Sequence, residues 1–405
     1  MNVPSAGPAP PTTSLAELFL ISLRLGCTSF GGPIAHLGYF REEYVLKRNW
    51  LDESAFADLV ALGQVLPGPA SSQVSIGIGT MRRGWRGGLL AWLGFTLPSA
   101  ILMTIFALVI TGRDIGNAGW LHGLKIVAVA VVAQAVWGMA RKFCTDRTRI
   151  LMAIGAGAVL IAWQTAIAQI AVIALGAVIG WLLLTRQGTS NPGIHHRSPH
   201  GRRFGGICLG LFAIILIGLP LLTGSDRSSP LGMVRVFYEA GSLVFGGGHV
   251  VLPILQRQVV PTGWMTDSTF LGGYGAAQAM PGPLFSFAAF LGAARSPTPN
   301  GILGAAIATV AIFAPSILLI WGGLPFWDQL RTSLSFRGAL AGINAVVVGL
   351  LAAALYTPVW TSAINAVSDV MLALICLLLV LSRRLPTIAI VVFAAGGGEI
   401  ITRLL

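Results

Sequence analysis

Residues 64–69, Gln64-Val65-Leu66-Pro67-Gly68-Pro69, return at 278–283 as Gln278-Ala279-Met280-Pro281-Gly282-Pro283, a shift of 214 positions. Each copy sits inside an apolar stretch, about 55–80 and 269–294, that otherwise reads as helix. Two prolines flanking a glycine remove two backbone donors and insert a permissive residue, so each helix must break there. Broken backbone at membrane depth is tolerated only where protein buries it or where it lines a polar cavity. The amides and half-helix N-termini released by such a break suit an anion, because partial positive charge and hydrogen-bond donors point the same way.

Outward from these motifs the duplication continues in order. Phe30-Gly31-Gly32 recurs as Phe245-Gly246-Gly247 at a shift of 215, Trp50 and Phe56 recur as Trp264 and Phe270 at 214, and Gly84, Gly87 and Pro98-Ser99 recur as Gly301, Gly304 and Pro315-Ser316 at 217. The Phe-Gly-Gly segments end short apolar stretches; they read equally as a second pair of helix breaks or as glycine stops at helix C-termini. One extra apolar stretch, about 205–222, separates the copies, so the second should enter a membrane in the opposite orientation. Inverted repeats of this kind place a binding site near the midplane, where discontinuous helices of the two halves meet.

Composition agrees. Of 405 residues 55% are hydrophobic and 10% charged, against about 25% charged in ordinary soluble proteins; mean hydropathy is +0.80. A soluble enzyme is excluded, and roughly 20 apolar residues per crossing leave no room for a sizeable extramembrane domain. The expected fold is an all-α polytopic membrane protein of two homologous halves, with ten to thirteen transmembrane or re-entrant helices. Its parts would be an N-terminal tail (1–13), a first repeat (14–186), a basic cytoplasmic linker (187–204), a connecting helix (205–228) and a second repeat (229–405).

The net charge of +12 follows from topology rather than from a nucleic-acid partner, since Lys and Arg collect in cytoplasmic loops. Arg141, Lys142, Arg147 and Arg149, then Arg186, Arg197, Arg202 and Arg203, mark cytoplasmic segments, as do Arg331 with Arg337 and Arg383 with Arg384. The turns at Arg113-Asp114, at Gln164 and at 357–362 carry little net charge and should face outward. If the segments before the glycine motifs and the broken helices all cross, there are about thirteen spans; if they are re-entrant there are about nine, and Arg41, Lys47 and Arg48 then lie in the cytoplasm. His195, His196 and His200 belong to a solvated basic linker rather than a metal tract. Cys27, Cys144, Cys208 and Cys376 lack disulfide or metal spacing and read as packing residues. No span clusters the His, Asp or Lys that a membrane enzyme acting on lipid phosphate would need, and no cofactor or metal is expected.

Ionisable groups within apolar segments are costly and mark function by default. They are Glu17, Arg24, Asp58, Lys125, Arg235 and Glu239. Arg235 and Glu239, four apart, can pair on one helix face. Arg24 corresponds by the repeat to Glu239, so the halves keep a polar position but invert its charge. Arg82, Arg83 and Arg86 follow the first broken helix, where they either draw in an oxyanion or mark the cytoplasmic side.

The paired Phe-Gly-Gly and Gln-preceded Pro-Gly-Pro segments, with the duplicated length, resemble the chromate ion transporter family over about residues 14–405. The resemblance implies two halves of opposite orientation that export chromate from the bacterial cytoplasm across the inner membrane and so confer resistance. It carries the family's motif residues onto Phe30, Gly31, Gly32, Pro67, Gly68 and Pro69, and onto Phe245, Gly246, Gly247, His249, Pro281, Gly282 and Pro283. Pro33 stands where the second copy has Gly248, which stiffens the first turn.

The expected mechanism is a secondary transporter that binds chromate between the halves through the broken-helix amides, Gln64, Gln278 and arginines, with Arg24 and Arg82 foremost, and then rocks to release it outside. Membrane potential supplies the drive, with proton exchange through Glu239, Asp58 or Glu17 as an added route. Sulfate or another oxyanion as substrate, and a passive anion channel, are the alternatives. The expected partners are the oxyanion and the bilayer, with a homodimer as the candidate assembly.

Overall fold

A computed structural model describes residues 13–111, 118–163, 165–185, 201–245, 248–382 and 384–404. The expected tail up to residue 12, Arg186, linker residues 187–200, Gly246, Gly247, Arg113, Asp114, Gln164 and Arg383 lie outside the described residues. Among those described, regular structure is helical throughout, with no strand.

Local sequence sets the helix starts. Ser14 accepts from the Glu17 amide at 3.0 Å to open α1 (Leu15–Thr28), a Ser-x-x-Glu capping signal. Asp52 opens α3 (Glu53–Val65) by accepting from Ala55, at 2.7 Å. Between them α2 (Gly32–Phe40) starts at Gly31 without a side-chain cap and runs into a π-helical segment, Arg41–Lys47. Helix α4 (Ala70–Ile110) also starts uncapped, at Pro69, and is not one rod: Arg83 and Gly84 leave helical geometry, Gly84 at φ 63°. Its two limbs fold back on each other there. Gly79 and Gly87 then approach so closely that a methyl on either would strike the other's backbone carbonyl.

The first half continues with α5 (Gly119–Phe143), α6 (Arg147–Ala162) and α7 (Ala166–Leu183). The connecting helix α8 (Arg202–Thr223) packs on α9 and α13 and leaves Ile207, Ile214, Leu221 and Leu222 between 69% and 79% exposed. Those side chains make sense only against lipid. The second half repeats the plan with α9 (Pro230–Leu243), a 3-10 turn and α10 (Val251–Val259), α11 (Asp267–Ala277), a second 3-10 turn and α12 (Phe287–Ala294), and α13 (Gly301–Gly323). After the short α14 (Trp327–Thr332) come α15 (Leu334–Ala354), a π turn with the short α16 (Thr361–Ala363), α17 (Val367–Ser382) and α18 (Thr387–Leu404).

Four helical hairpins therefore precede the long helices of the two halves. In the first, α1 is bridged to the π-helical continuation of α2 by Ser22 to Tyr44 at 3.4 Å, and to Arg48 just beyond it by Glu17 at 2.8 Å. In the second, a methyl on Gly77 of α4 would meet Leu59 of α3. In the fourth, Ser296 donates to Trp264 O at 3.0 Å and closes the mouth formed by α11 and α12. Arg82 over Trp50 (5.3 Å) and Arg295 over Trp264 (4.1 Å) are matching cation–π contacts at the mouths of the second and fourth hairpins.

The halves are interlocked. Helix α5 packs against α17 and α18, and α15 packs against α6 and α7. Gly123 lies on the α18 backbone at Ala394, and Gly342 on the α7 backbone at Gly176 and Gly180. Small residues permit these close crossings in an apolar setting. Five helical segments, 70–110, 119–143, 202–223, 301–326 and 334–363, contain stretches long and apolar enough to cross a membrane, and the chain is a multi-pass membrane protein of two halves.

Candidate functional site

The four duplicated motifs converge, and they do so crosswise. Gly68 of the first Pro-Gly-Pro donates its amide to Val244 O, one residue before Phe245, at 2.7 Å. Gly282 of the second donates to Ser29 O, one residue before Phe30, at 2.8 Å. Each broken helix of one half is thus tied to the glycine stop of the other. Both glycines lie in the left-handed region, Gly68 at φ 123° and Gly282 at φ 86°, which side chains resist. Gly248, which follows the second glycine motif, approaches Pro33, which follows the first.

The repeated Pro-Ser pairs complete the arrangement. A methyl on Gly68 would run into Ser316 Oγ from the second half, and one on Gly282 would meet Ser99 Oγ of the first at 3.1 Å. Helix α4 leaves this centre with Ala70-Ser71-Ser72-Gln73 as its first turn and no side-chain cap at Pro69. Its leading amides carry the positive end of the helix dipole. Gln73 Nε2 donates to Pro67 O at 2.6 Å and holds the loop, while His36 Nδ1 lies 3.2 Å from Ser71 Oγ. In the second half His249 Nδ1 lies 2.8 Å from the Tyr274 hydroxyl.

Several buried polar atoms have no partner among the described residues: Ser29 Oγ, Ser72 Oγ, Gln73 Oε1, Gln278 Nε2 and Ser316 Oγ. A buried orphan costs about 1–3 kcal/mol and calls for a reason. The hydroxyls, the Gln278 amide nitrogen and the leading amides of α4 are donors, and no carboxylate occurs among them. That is a donor set for an anion rich in acceptor oxygens, with Gln73 Oε1 the one carbonyl oxygen among the orphaned atoms.

The other expected residues lie elsewhere. The Gly68 and Gly282 amides are committed to the crossed bonds, so these glycines shape the site rather than donate to a ligand. Arg24 pairs with the buried Glu43, and its side chain is 58% exposed. Arg82, at the mouth of the second hairpin and the far end of α4's first limb, donates to Thr13 at 3.0 Å. Gln64 is exposed near the end of α3 and accepts from Lys142 at 3.0 Å. Glu17 pairs with Arg48, Asp58 belongs to α3, and Glu239 pairs with Arg235 at 2.7 Å.

Sequence reasoning missed Ser71, Ser72, Gln73, Ser316, His36 and Arg295. The first three had a legible signal, a polar Ser-Ser-Gln directly after Pro69. Ser316 had only its place in the repeat, and Arg295 only a tryptophan partner 31 residues away.

A family model described as chromate transporter matches residues 16–181 and again 231–399. A chromate transport protein of Pseudomonas aeruginosa is 29% identical over 364 residues, covering 85% of this chain and 81% of its own length. A probable chromate transport protein of Synechococcus elongatus is 27% identical, covering 96% of both chains. A chromate transport protein of Cupriavidus metallidurans is 26% identical, covering 92% of this chain and 90% of its own.

Proposed function

Because the chain belongs to the chromate transporter family, we propose that it exports chromate from the bacterial cytoplasm across the inner membrane, and so confers resistance. The observation that carries the reading is the crossed pairing of Pro-Gly-Pro and Phe-Gly-Gly motifs around orphaned donors and an uncapped helix start. A tetrahedral dianion accepts from the leading amides of α4, from Ser72 and Ser316, and from Gln278 Nε2. Neutral donors hold it without an arginine in contact, which keeps binding loose enough for release.

Arginine clusters at Arg82, Arg83 and Arg86 and at Arg141 and Lys142 fit a cytoplasmic face. With that orientation the four hairpins are re-entrant and nine helical segments cross: the second limb of α4, α5 to α8, α13, α15, α17 and α18. A dianion leaving a cell that is negative inside gains about 2.3 kcal/mol per charge per 100 mV, so export runs on potential, and proton exchange adds to it rather than being required. The interlocking of α5 with α17 and α18, and of α15 with α6 and α7, opposes rocking of one half against the other. The hairpin core is the part free to move, against a scaffold of those six helices.

The test is chromate uptake into inside-out vesicles carrying the protein, at zero potential and with the vesicle interior positive. Uptake should rise with the potential, fall with excess sulfate, and drop at least about tenfold in Ser72→Ala/Ser316→Ala. Potential-independent uptake, or a double variant that transports normally, would overturn the reading. Saturable flux distinguishes a transporter from an anion channel.

A further inference from the structure

The inverted repeat places Glu43 and Gln258 at equivalent positions, 215 apart, on the descending arms of the first and third hairpins. What surrounds them differs. Glu43 is buried and holds two cations, Arg24 and Arg48, the latter at 2.7 Å. Its carboxylate saturates the cationic groups of that corner. At the equivalent corner of the second half Gln258 is neutral and buried, with its Oε1 unpartnered. It faces a cavity of about 80 Å³ between α7, α9 and α10, lined also by Arg227, Arg235, Glu239 and Gln169. One water molecule needs only about 10–15 Å³.

The charges around this cavity do not cancel. Arg235 bonds Glu239 at 2.7 Å and gives its Nη1 to Thr223 Oγ1 at 3.1 Å, which leaves Nη2 uncommitted among the described residues. Arg227 has no hydrogen bond or ion pair among the described residues, although it is half-buried and feels the Glu239 charge. Two cations against one carboxylate leave a net positive corner with amide side chains on its walls. Asp226, the nearest acid in sequence, does not line it. The Ser229 hydroxyl and the Ser228 and Ser229 amides hold the Asp226 carboxyl below its usual range, so it stays turned to its own loop.

We propose that this cavity is a second oxyanion site, distinct from the central one, in which a single tetrahedral oxyanion group takes the place that the Glu43 carboxylate takes in the first half. Arg227, Arg235 Nη2 and the Gln258 amide nitrogen donate to the anion. With the orientation argued above the site opens toward the outer face, where it would receive an exported anion; that placement rests on the proposed function. The same chemistry is offered by the phosphate of an anionic lipid headgroup, since Ile167 and Ile170 at the cavity rim are exposed.

The test is sulfate binding to the full chain in neutral phosphatidylcholine nanodiscs, read as sites per chain by calorimetry. Two sites are expected. Gln258→Glu supplies a built-in carboxylate, as Glu43 does, and should remove one site while the other keeps its affinity; Arg227→Gln, on an exposed loop, should weaken the same site at least about tenfold. If both variants bind as the parent does, the proposal falls. If the parent binds one sulfate and Gln258→Glu binds none, the cavity site stands and the central site, with the proposed function, falls. Repeating the titration in phosphatidylglycerol nanodiscs separates the sources: loss of only the Gln258-sensitive site means that a lipid phosphate occupies it, and retention means that the free anion does.

Discussion

Gly68 and Gly282 are where side-chain chemistry and backbone geometry meet most tightly. A left-handed conformation costs a residue with a Cβ about 1–2 kcal/mol, and Gly68→Ala adds a collision with Ser316 Oγ, whereas Gly282→Ala meets its neighbours at 3.1 Å. Gly68→Ala should therefore lower the melting temperature and chromate transport more than Gly282→Ala. Gly155→Ala, with open space around it inside α6, should be neutral or slightly stabilising. Equal effects in all three would remove the steric account. Glu43→Gln should cost roughly 1–3 kcal/mol in a thermal melt, because Arg24 and Arg48 lose their shared carboxylate while their own exposure softens the loss. The residue roles were only half legible: proline and glycine announce a break in any context, but whether Arg24 meets a ligand or Glu43 depends on a partner 19 positions away that no local pattern specifies.

Among the elements, the four hairpins carry the prediction that separates re-entry from crossing. Lys47 and Thr262 stand at equivalent ends of the descending arms of the first and third hairpins, 215 apart. In right-side-out cells an impermeant thiol reagent should label Thr262→Cys and spare Lys47→Cys, with the reverse in inside-out vesicles. Labelling of both from one side would contradict the inversion. Hydrophobicity alone could not choose between nine and thirteen crossings, since a helix arm of 13 or 14 residues and the limb of a longer span have the same composition. The break inside α4 was legible, because the apolar stretch ends near residue 80 and Arg82, Arg83 and Arg86 follow it; that the two limbs fold back with Gly79 against Gly87 was not.

For the whole molecule, interlocking decides what can move. A disulfide between Gly176→Cys and Val346→Cys joins α7 to α15 within the scaffold and should leave transport intact. One between Leu121→Cys and Gly272→Cys ties α5 to α11, scaffold to hairpin core, and should arrest transport until it is reduced. Arrest by the first tether and indifference to the second would return the motion to rocking halves.

The sequence by itself determined the membrane class, the duplication, its inversion and the four places where helices must stop, because composition, periodicity and the absent donors of proline act locally or by simple comparison along the chain. Only the tertiary structure decided that the stops pair crosswise, that Gly68 answers Val244 and Gly282 answers Ser29, and that each of these glycines lies against the serine of the other half's Pro-Ser pair, Ser316 and Ser99. Those relations join residues roughly 175 to 255 positions apart. Their energies come from burial and hydrogen bonding between surfaces that do not exist until both halves have folded together, so nothing in either half alone encodes them.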